Sequence, residues 1–198
     1  MKSDRETISV YDERAQEYAQ ITDKDNSKDP RLSDFIAACP ANGTVLDLGC
    51  GPGMSASAMA RAGLRVIATD ASSEMVAIAS QHPGVTAHQA VFDDLDEQAA
   101  FDGIWANFSL LHAPRADMPR HLAAIHRALK PGGAFYIGLK TGSGEKRDTI
   151  GRFYSYYTKE ELFELLETAG FTVLSHKTGS SSGLAGTVED WISVAARA

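Results

Sequence analysis

A three-layer α/β/α sandwich around a mostly parallel sheet is the fold class this sequence predicts, and three observations predict it. From Thr44 onward, short apolar runs alternate with amphipathic stretches, the order of parallel βαβ units. The glycines of Val45-Leu46-Asp47-Leu48-Gly49-Cys50-Gly51-Pro52-Gly53 fall where an apolar run stops and a helix-forming run begins. The last two apolar runs, 171–176 and 190–196, have no helical pattern between them, which places an antiparallel strand near the C-terminus.

The elements follow in order. Residues 44–48 form a buried strand that ends at the glycines, and the Ala/Met-rich 54–61 a helix. Residues 64–69 and 85–90 are strands, separated by a helix over 73–80. A strand over 101–106 precedes a helix over 117–129, whose Leu122, Ile125 and Leu129 recur at i, i+3 and i+7. A fifth strand covers 134–139. Thr158 then caps a helix running to Ala169, with Glu161 completing a capping box and Gly170 as the stop. The two closing strands make seven, and the Ser/Gly-rich 178–183 between them reads as a loop. Residues 1–43 stand apart as an N-terminal helical cap, with one helix over 7–20, a polar flexible stretch over 23–29 and a short helix over 31–38. Residues 44–198 form the single main domain.

The 198 residues suit one domain, and 43% hydrophobic with 23% charged residues is a globular composition. A net charge of −7 argues against nucleic acid as a partner. His121, His126, Arg127 and Lys130 read as the solvated face of a helix rather than as a basic patch. Two cysteines form neither a disulfide framework nor a metal pair, and the six histidines show no metal-ligand spacing, so no metal is expected. The charged N-terminus has no apolar region behind it and no run spans a bilayer, so the expected location is the cytoplasm, away from membranes. The oligomeric state is not readable.

A glycine-rich turn between strand and helix sets backbone amides against a ligand. A dinucleotide fingerprint G-x-G-x-x-G fits at Gly49 and Gly51 but has Met54 at its third position. A P-loop needs a lysine that is missing. The string with Asp47, Gly49, Gly51 and Gly53 instead resembles the first motif of the class I S-adenosylmethionine-dependent methyltransferases, Asp/Glu-x-Gly-x-Gly-x-Gly. The resemblance implies a Rossmann-like sheet and S-adenosylmethionine as cofactor. It puts the loop, Cys50 included, beside the methionine and ribose, with Asp47 organising the methionine amino group. Cys50 itself is read as packing.

Further matches extend the resemblance over residues 44–140. Asp70, at the end of the second strand, stands where an acid accepts the ribose hydroxyls, with Ala71 and Met75 beside it; as an alternative it caps the next helix. Phe92 and Asp93 match the family's adenine contacts, or form an acidic turn. Asn107, Phe108 and Ser109, where the fourth strand leaves the sheet, are expected at the methionine moiety. Tyr11-Asp12-Glu13-Arg14-Ala15-Gln16-Glu17-Tyr18 is similar to the Tyr-x-x-x-Ala-x-x-Tyr opening of many small-molecule methyltransferases. This implies a helix over the cofactor, with Tyr18 near the carboxylate and Tyr11 facing a small-molecule acceptor; the alternative is that both anchor the helix to the domain.

The methyl group of a sulfonium is already electrophilic, so alignment for in-line displacement does most of the work. A base is needed only where the nucleophile must first lose a proton. His112 is the candidate base, with packing of the loop as its alternative. Tyr154 is a candidate acceptor contact, and Lys140, Lys146 and Arg147 could meet an acidic acceptor. Two other functions are compatible with parts of the pattern. A dinucleotide oxidoreductase lacks support from any Tyr-x-x-x-Lys pair, since Thr158 follows Tyr154 and Glu160 follows Tyr156. A non-catalytic S-adenosylmethionine-binding module would keep the same pocket.

Overall fold

The computed structural model describes residues 4–22 and 28–198. Seven strands form one sheet: β1 (Thr44–Leu48), β2 (Arg65–Asp70), β3 (Val85–Gln89), β4 (Phe101–Asn107), β5 (Leu129–Lys140), β8 (Thr172–Ser182) and β9 (Val188–Arg197). Their order is β3-β2-β1-β4-β5-β9-β8, parallel from β1 to β5, with β9 antiparallel to both of its neighbours. The order reverses between β1 and β4, and in such sheets the crevice at the reversal receives the ligand.

Helices cover both faces. Leu32 and Phe35 of α3 (Pro30–Ala38) and Ala56 and Met59 of α4 (Met54–Arg61) pack on Val45, Val66, Ala68 and Trp105. Leu122 and Ile125 of α6 (Met118–Ala128) and Leu162 and Leu166 of α7 (Lys159–Thr168) pack on Leu46, Ile104, Ile137 and Val194. The strands alternate between these two cores, which is why they read as continuous apolar runs. α5 (Ser73–Ala79) lies along β2 and β3. The capping box at Thr158 and Glu161 forms as expected.

Five expectations change. The N-terminal segment is two helices, α1 (Arg5–Glu13) and α2 (Ala15–Thr22), because the backbone at Arg14 (φ −115°, ψ 18°) leaves helical geometry. Of the expected flexible stretch, 23–27 lie outside the described residues, while Asp29 caps α3 by accepting from the Arg31 N–H. Residues 178–182 are strand rather than loop: Thr178 to Ser182 pair residue by residue with Ile192 to Val188, and that ladder outweighs a Ser/Gly composition. His121 is not on a solvated face, for its ring is 6% exposed and meets Phe92 edge-on at 5.6 Å. An added hairpin, β6 (Glu145–Arg147) with β7 (Phe153–Ser155), stands beside the main sheet where no strand was expected. Among the described residues no helix is long and apolar enough to cross a membrane.

Candidate cofactor and acceptor site

A cavity of about 200 Å³ opens at the carboxyl ends of β1, β2 and β4. Its floor is the glycine loop. The carbonyl of Thr69 accepts from both Gly49 and Cys50 N–H groups, at 2.8 and 2.9 Å, which ties the loop to the end of β2. Gly49 has φ +74°, and a Cβ there would stand 2.2 Å from Cβ of Ser109. Gly51 has φ +53°, and its missing Cβ would meet only Tyr18, at 3.6 Å. Gly49 therefore seats β4 against the loop, while Gly51 leaves space on the cavity side.

Two acids lie beneath the loop. Asp47 is 3% exposed; the Ala56 N–H in the first turn of α4 reaches its carboxylate, yet Oδ2 has no partner among the described residues. Burial pushes this carboxyl up to about 7, with the nearby Asp70 charge adding to the effect. Asp70 accepts from Gly51 N–H at Oδ2 (2.8 Å) and from Ser72 N–H at Oδ1 (2.9 Å), leaving each oxygen a further lone pair. Burial raises its pKa as well. The N-cap of α5 is Ser72, whose hydroxyl accepts from Met75 N–H, so the capping alternative for Asp70 does not hold.

The remaining walls come from further along the chain. Ala71, Met75, Phe92 and Asp93 line one side, with Asp117 and His121 beyond them. Asp93 pairs with Arg120 and lies 3.6 Å from His121, and the Arg120 guanidinium holds its carboxyl low. Asn107, Phe108 and Ser109 line the opposite side. The Ser109 hydroxyl is committed to the Leu48 carbonyl at 2.5 Å, and Asn107 Oδ1 is buried over Gly138. Phe108, at φ +56°, turns the chain out of β4.

α1 and α2 close the cavity. Tyr11 and Tyr18 meet edge to face at 5.4 Å, and both line it. At one end of α1, Asp12 accepts from the Ser72 hydroxyl at 2.6 Å. At the other, Arg147 of β6 donates to both oxygens of Asp4 (3.1 and 2.7 Å), holding that carboxyl at about 2. Phe153 N–H donates to Thr7 Oγ1 at 2.8 Å, and Arg152 donates to the Tyr11 oxygen at 3.0 Å. Arg152 is 3% exposed and is neutralised by Asp148 through side-chain bonds of 2.9 and 2.8 Å.

His112 lines the cavity with both ring nitrogens engaged. The Phe153 carbonyl lies 2.6 Å from Nδ1, so Nδ1 carries the proton. Nε2 then accepts from the Tyr11 hydroxyl at 2.9 Å. Burial presses the imidazole down to about 4, and Arg152 and Lys140 add to this against the Phe153 bond. Tyr154 packs against the His112 ring at 4.7 Å with Lys140 over its face, one layer behind the cavity wall. The three basic candidates are each paired: Lys140 and Lys146 with Glu189, and Arg147 with Asp4 and Glu6. Sequence reading missed Trp105, Thr7, Ile8 and Arg152. The two positions on α1 could have been found from helical spacing with Tyr11, and Trp105 from its alternation with Asn107 on β4.

Residues 45–133 match the family model for a methyltransferase domain. Over its whole length the chain superposes on the 1,6-didemethyltoxoflavin-N1-methyltransferase of Burkholderia thailandensis, solved with 1,6-didemethyltoxoflavin and S-adenosylhomocysteine. The TM-score is 0.76, the identity 26%, and 91% of that chain is covered. In sequence and in fold the chain is similar to the class I S-adenosylmethionine-dependent methyltransferases. The chain is also similar to a cypemycin N-terminal methyltransferase of a Streptomyces species, 37% identical over 136 residues (65% of this chain, 56% of the relative). A ubiquinone biosynthesis O-methyltransferase of Xanthomonas axonopodis pv. citri is 38% identical over 105 residues (50% of this chain, 43% of the relative). The chain thus spans about half the length of these two curated relatives. The residues present fit S-adenosylmethionine: the buried Oδ2 of Asp47, unpartnered among the described residues, is an acceptor that the methionine ammonium would satisfy.

Proposed function

We propose that this protein moves the methyl group of S-adenosylmethionine onto a small, uncharged acceptor, in the cytoplasm and without nucleic acid as partner. One observation carries the reading: the glycine loop, its orphaned acid Asp47, and the aromatic helix α1 enclose one cavity. The bound sulfonium supplies an electrophilic methyl group. In this reading Asp47, Gly49, Cys50, Gly51 and Gly53 hold the methionine end, with Asn107, Phe108 and Ser109 opposite. Asp70 takes the ribose, flanked by Ala71 and Met75, and Phe92 and Asp93 border the adenine. Tyr18 covers the cofactor. Residues 1–43 act as the cover of the site, supported by the bonds of Asp4, Thr7, Tyr11 and Asp12 to the main domain.

The acceptor reading rests on charge. Lys140, Lys146 and Arg147 are each paired with acids, so nothing among them is left to recruit an anionic acceptor. The net charge of −7 disfavours a phosphate backbone. Tyr11 and His112 are the acceptor-side polar groups, with Tyr154 supporting them from behind. A proton leaving the acceptor passes to the Tyr11 oxygen while Tyr11 gives its own to His112 Nε2. A histidine held near 4 is a poor base before transfer. Acceptors with a free lone pair, whose proton becomes acidic only on methylation, suit it best.

Calorimetric titration with S-adenosylhomocysteine and with NADH tests the class, and binding of the first alone is expected. Release of S-adenosylhomocysteine during a screen of neutral amines, ring nitrogens and phenols tests the transfer. Binding of NADH without S-adenosylhomocysteine would remove the reading.

A further inference from the structure

Among the described residues, three side chains in the cavity wall carry buried polar atoms with no partner: the acceptors Asp47 Oδ2 and Asn107 Oδ1, and one donor, and two of the three face each other across neighbouring strands. That facing pair is Asp47 Oδ2 and the sole donor of the three, the indole Nε1 of Trp105. Buried donors and acceptors are almost always satisfied, so an unpaired acceptor and an unpaired donor at one cavity need a common cause. Asp47 on β1 and Trp105 on β4 are register partners in the parallel ladder, and both project to the α3–α4 side of the sheet. Both border the cavity. They do not satisfy each other, although one could donate and the other accept.

The Trp105 ring has little freedom to turn its N–H elsewhere. It is 1% exposed, stacks on Tyr136 at 3.7 Å with an interplanar angle of 12°, and meets Phe35 at 5.3 Å. A fixed neutral donor beside a fixed carboxylate is complementary to an ammonium and a carboxylate on the same short fragment. Among the described residues no lysine or arginine lines the cavity, so a ligand carboxylate there meets neutral donors.

We propose that Trp105 Nε1–H donates to the carboxylate of the cofactor's methionine moiety while Asp47 Oδ2 accepts from its ammonium. Trp105 is thus a specificity residue for the amino-acid end of the ligand. The proposal rests on the cofactor assignment above, and the test separates the two.

The wild-type chain has two tryptophans, so its ¹⁵N-labelled form gives two indole signals, assigned through Trp191→Phe. Trp191 lies on β9 under Arg31 and serves as the internal control. The probes are S-adenosylhomocysteine and 5′-methylthioadenosine, which lacks the amino-acid portion. Both should move the amides of Gly49 and Gly51. Only S-adenosylhomocysteine should move the Trp105 indole proton, downfield, with Trp191 unchanged. Trp105→Phe should raise the dissociation constant for S-adenosylhomocysteine about tenfold and leave 5′-methylthioadenosine unaffected. If the substitution unfolds the protein, the wild-type spectra still decide. Loop amides that respond while the Trp105 indole responds to both ligands alike, or to neither, overturn the proposal. A glycine loop silent to both ligands overturns the cofactor assignment, and this proposal with it.

Discussion

The two ends of the cavity are held by different kinds of bond. At the cofactor end the chain bonds to itself locally: Gly51 and Ser72 N–H groups serve Asp70, and Gly49 and Cys50 N–H groups serve Thr69. At the acceptor end, α1 is clamped to a hairpin more than 140 residues away, through Asp4–Arg147, Thr7–Phe153 and Tyr11–Arg152. The first end is backbone geometry that strands and glycines impose. The second is a set of side-chain bonds around one buried cation. The two should therefore fail differently, the cofactor end by steric strain and the acceptor end by unpaired charge.

The largest effect is expected at Arg152. It is 3% exposed and donates through Nε and Nη2 to Asp148. Arg152→Met leaves Asp148 ionised with its partner gone, which costs about 3–5 kcal/mol for a buried pair. Adding Asp148→Asn should restore part of that loss, because the stranded charge is then removed. Urea unfolding of the single and double variants measures both. A single variant within about 1 kcal/mol of wild type would show that the charge does not hold this end.

Next comes a contrast between two glycines two residues apart in the motif but opposite in surroundings. Gly49→Ala adds a Cβ 2.2 Å from Ser109 Cβ at φ +74°, and displacing Ser109 also breaks its bond to the Leu48 carbonyl. About 2–4 kcal/mol of stability should be lost. Gly51→Ala at φ +53° has ordinary contact distance to Tyr18 and should cost only about 1–2 kcal/mol. Its methyl group instead occupies ligand space, so cofactor affinity should fall more than stability does. Unfolding and calorimetry on the pair distinguish strain from occlusion, and equal stability losses would contradict the division.

This contrast also explains what the sequence disclosed. β1, α4 and the capping box of α7 match their expected bounds closely, since periodicity, glycine stops and caps are local signals. Asp47, Asp70 and Asn107 were legible from their positions at strand ends. Arg152 was not, because a lone arginine in a loop shows nothing of an aspartate four residues back or a tyrosine 141 residues away. Trp105 was hidden by its type: an aromatic residue inside a strand reads as core, and here it is core on its ring and site at its nitrogen. His112 was found, but its engaged Nε2 depends on the same long-range clamp. The hairpin β6–β7 gave no pattern because each strand is three residues long.

The smallest effect compares the two ends through protons. Asp47 is raised from 3.8 to about 7, so the folded state favours its neutral form. The stability it lends is full below the unfolded value and is lost as pH rises toward 7. His112 is lowered from 6.5 to about 4, so the folded state resists its charging, and stability is lost as pH falls from 6.5 toward 4. The slopes are opposite over nearly the same window, and the ligand-free protein should show a flat stability profile between pH 4.5 and 6.5, roughly, by this linkage. Cofactor affinity separates them. The methionine ammonium stabilises ionised Asp47, so S-adenosylhomocysteine should bind with proton release below pH 7, weakening by up to about tenfold per pH unit as the pH falls. 5′-Methylthioadenosine, lacking the ammonium, should not. Calorimetry in buffers of different ionisation enthalpy counts the protons, and Asp47→Asn should abolish the dependence. A pH dependence that survives Asp47→Asn, or that 5′-methylthioadenosine shares, would shift the titrating group to the acceptor end.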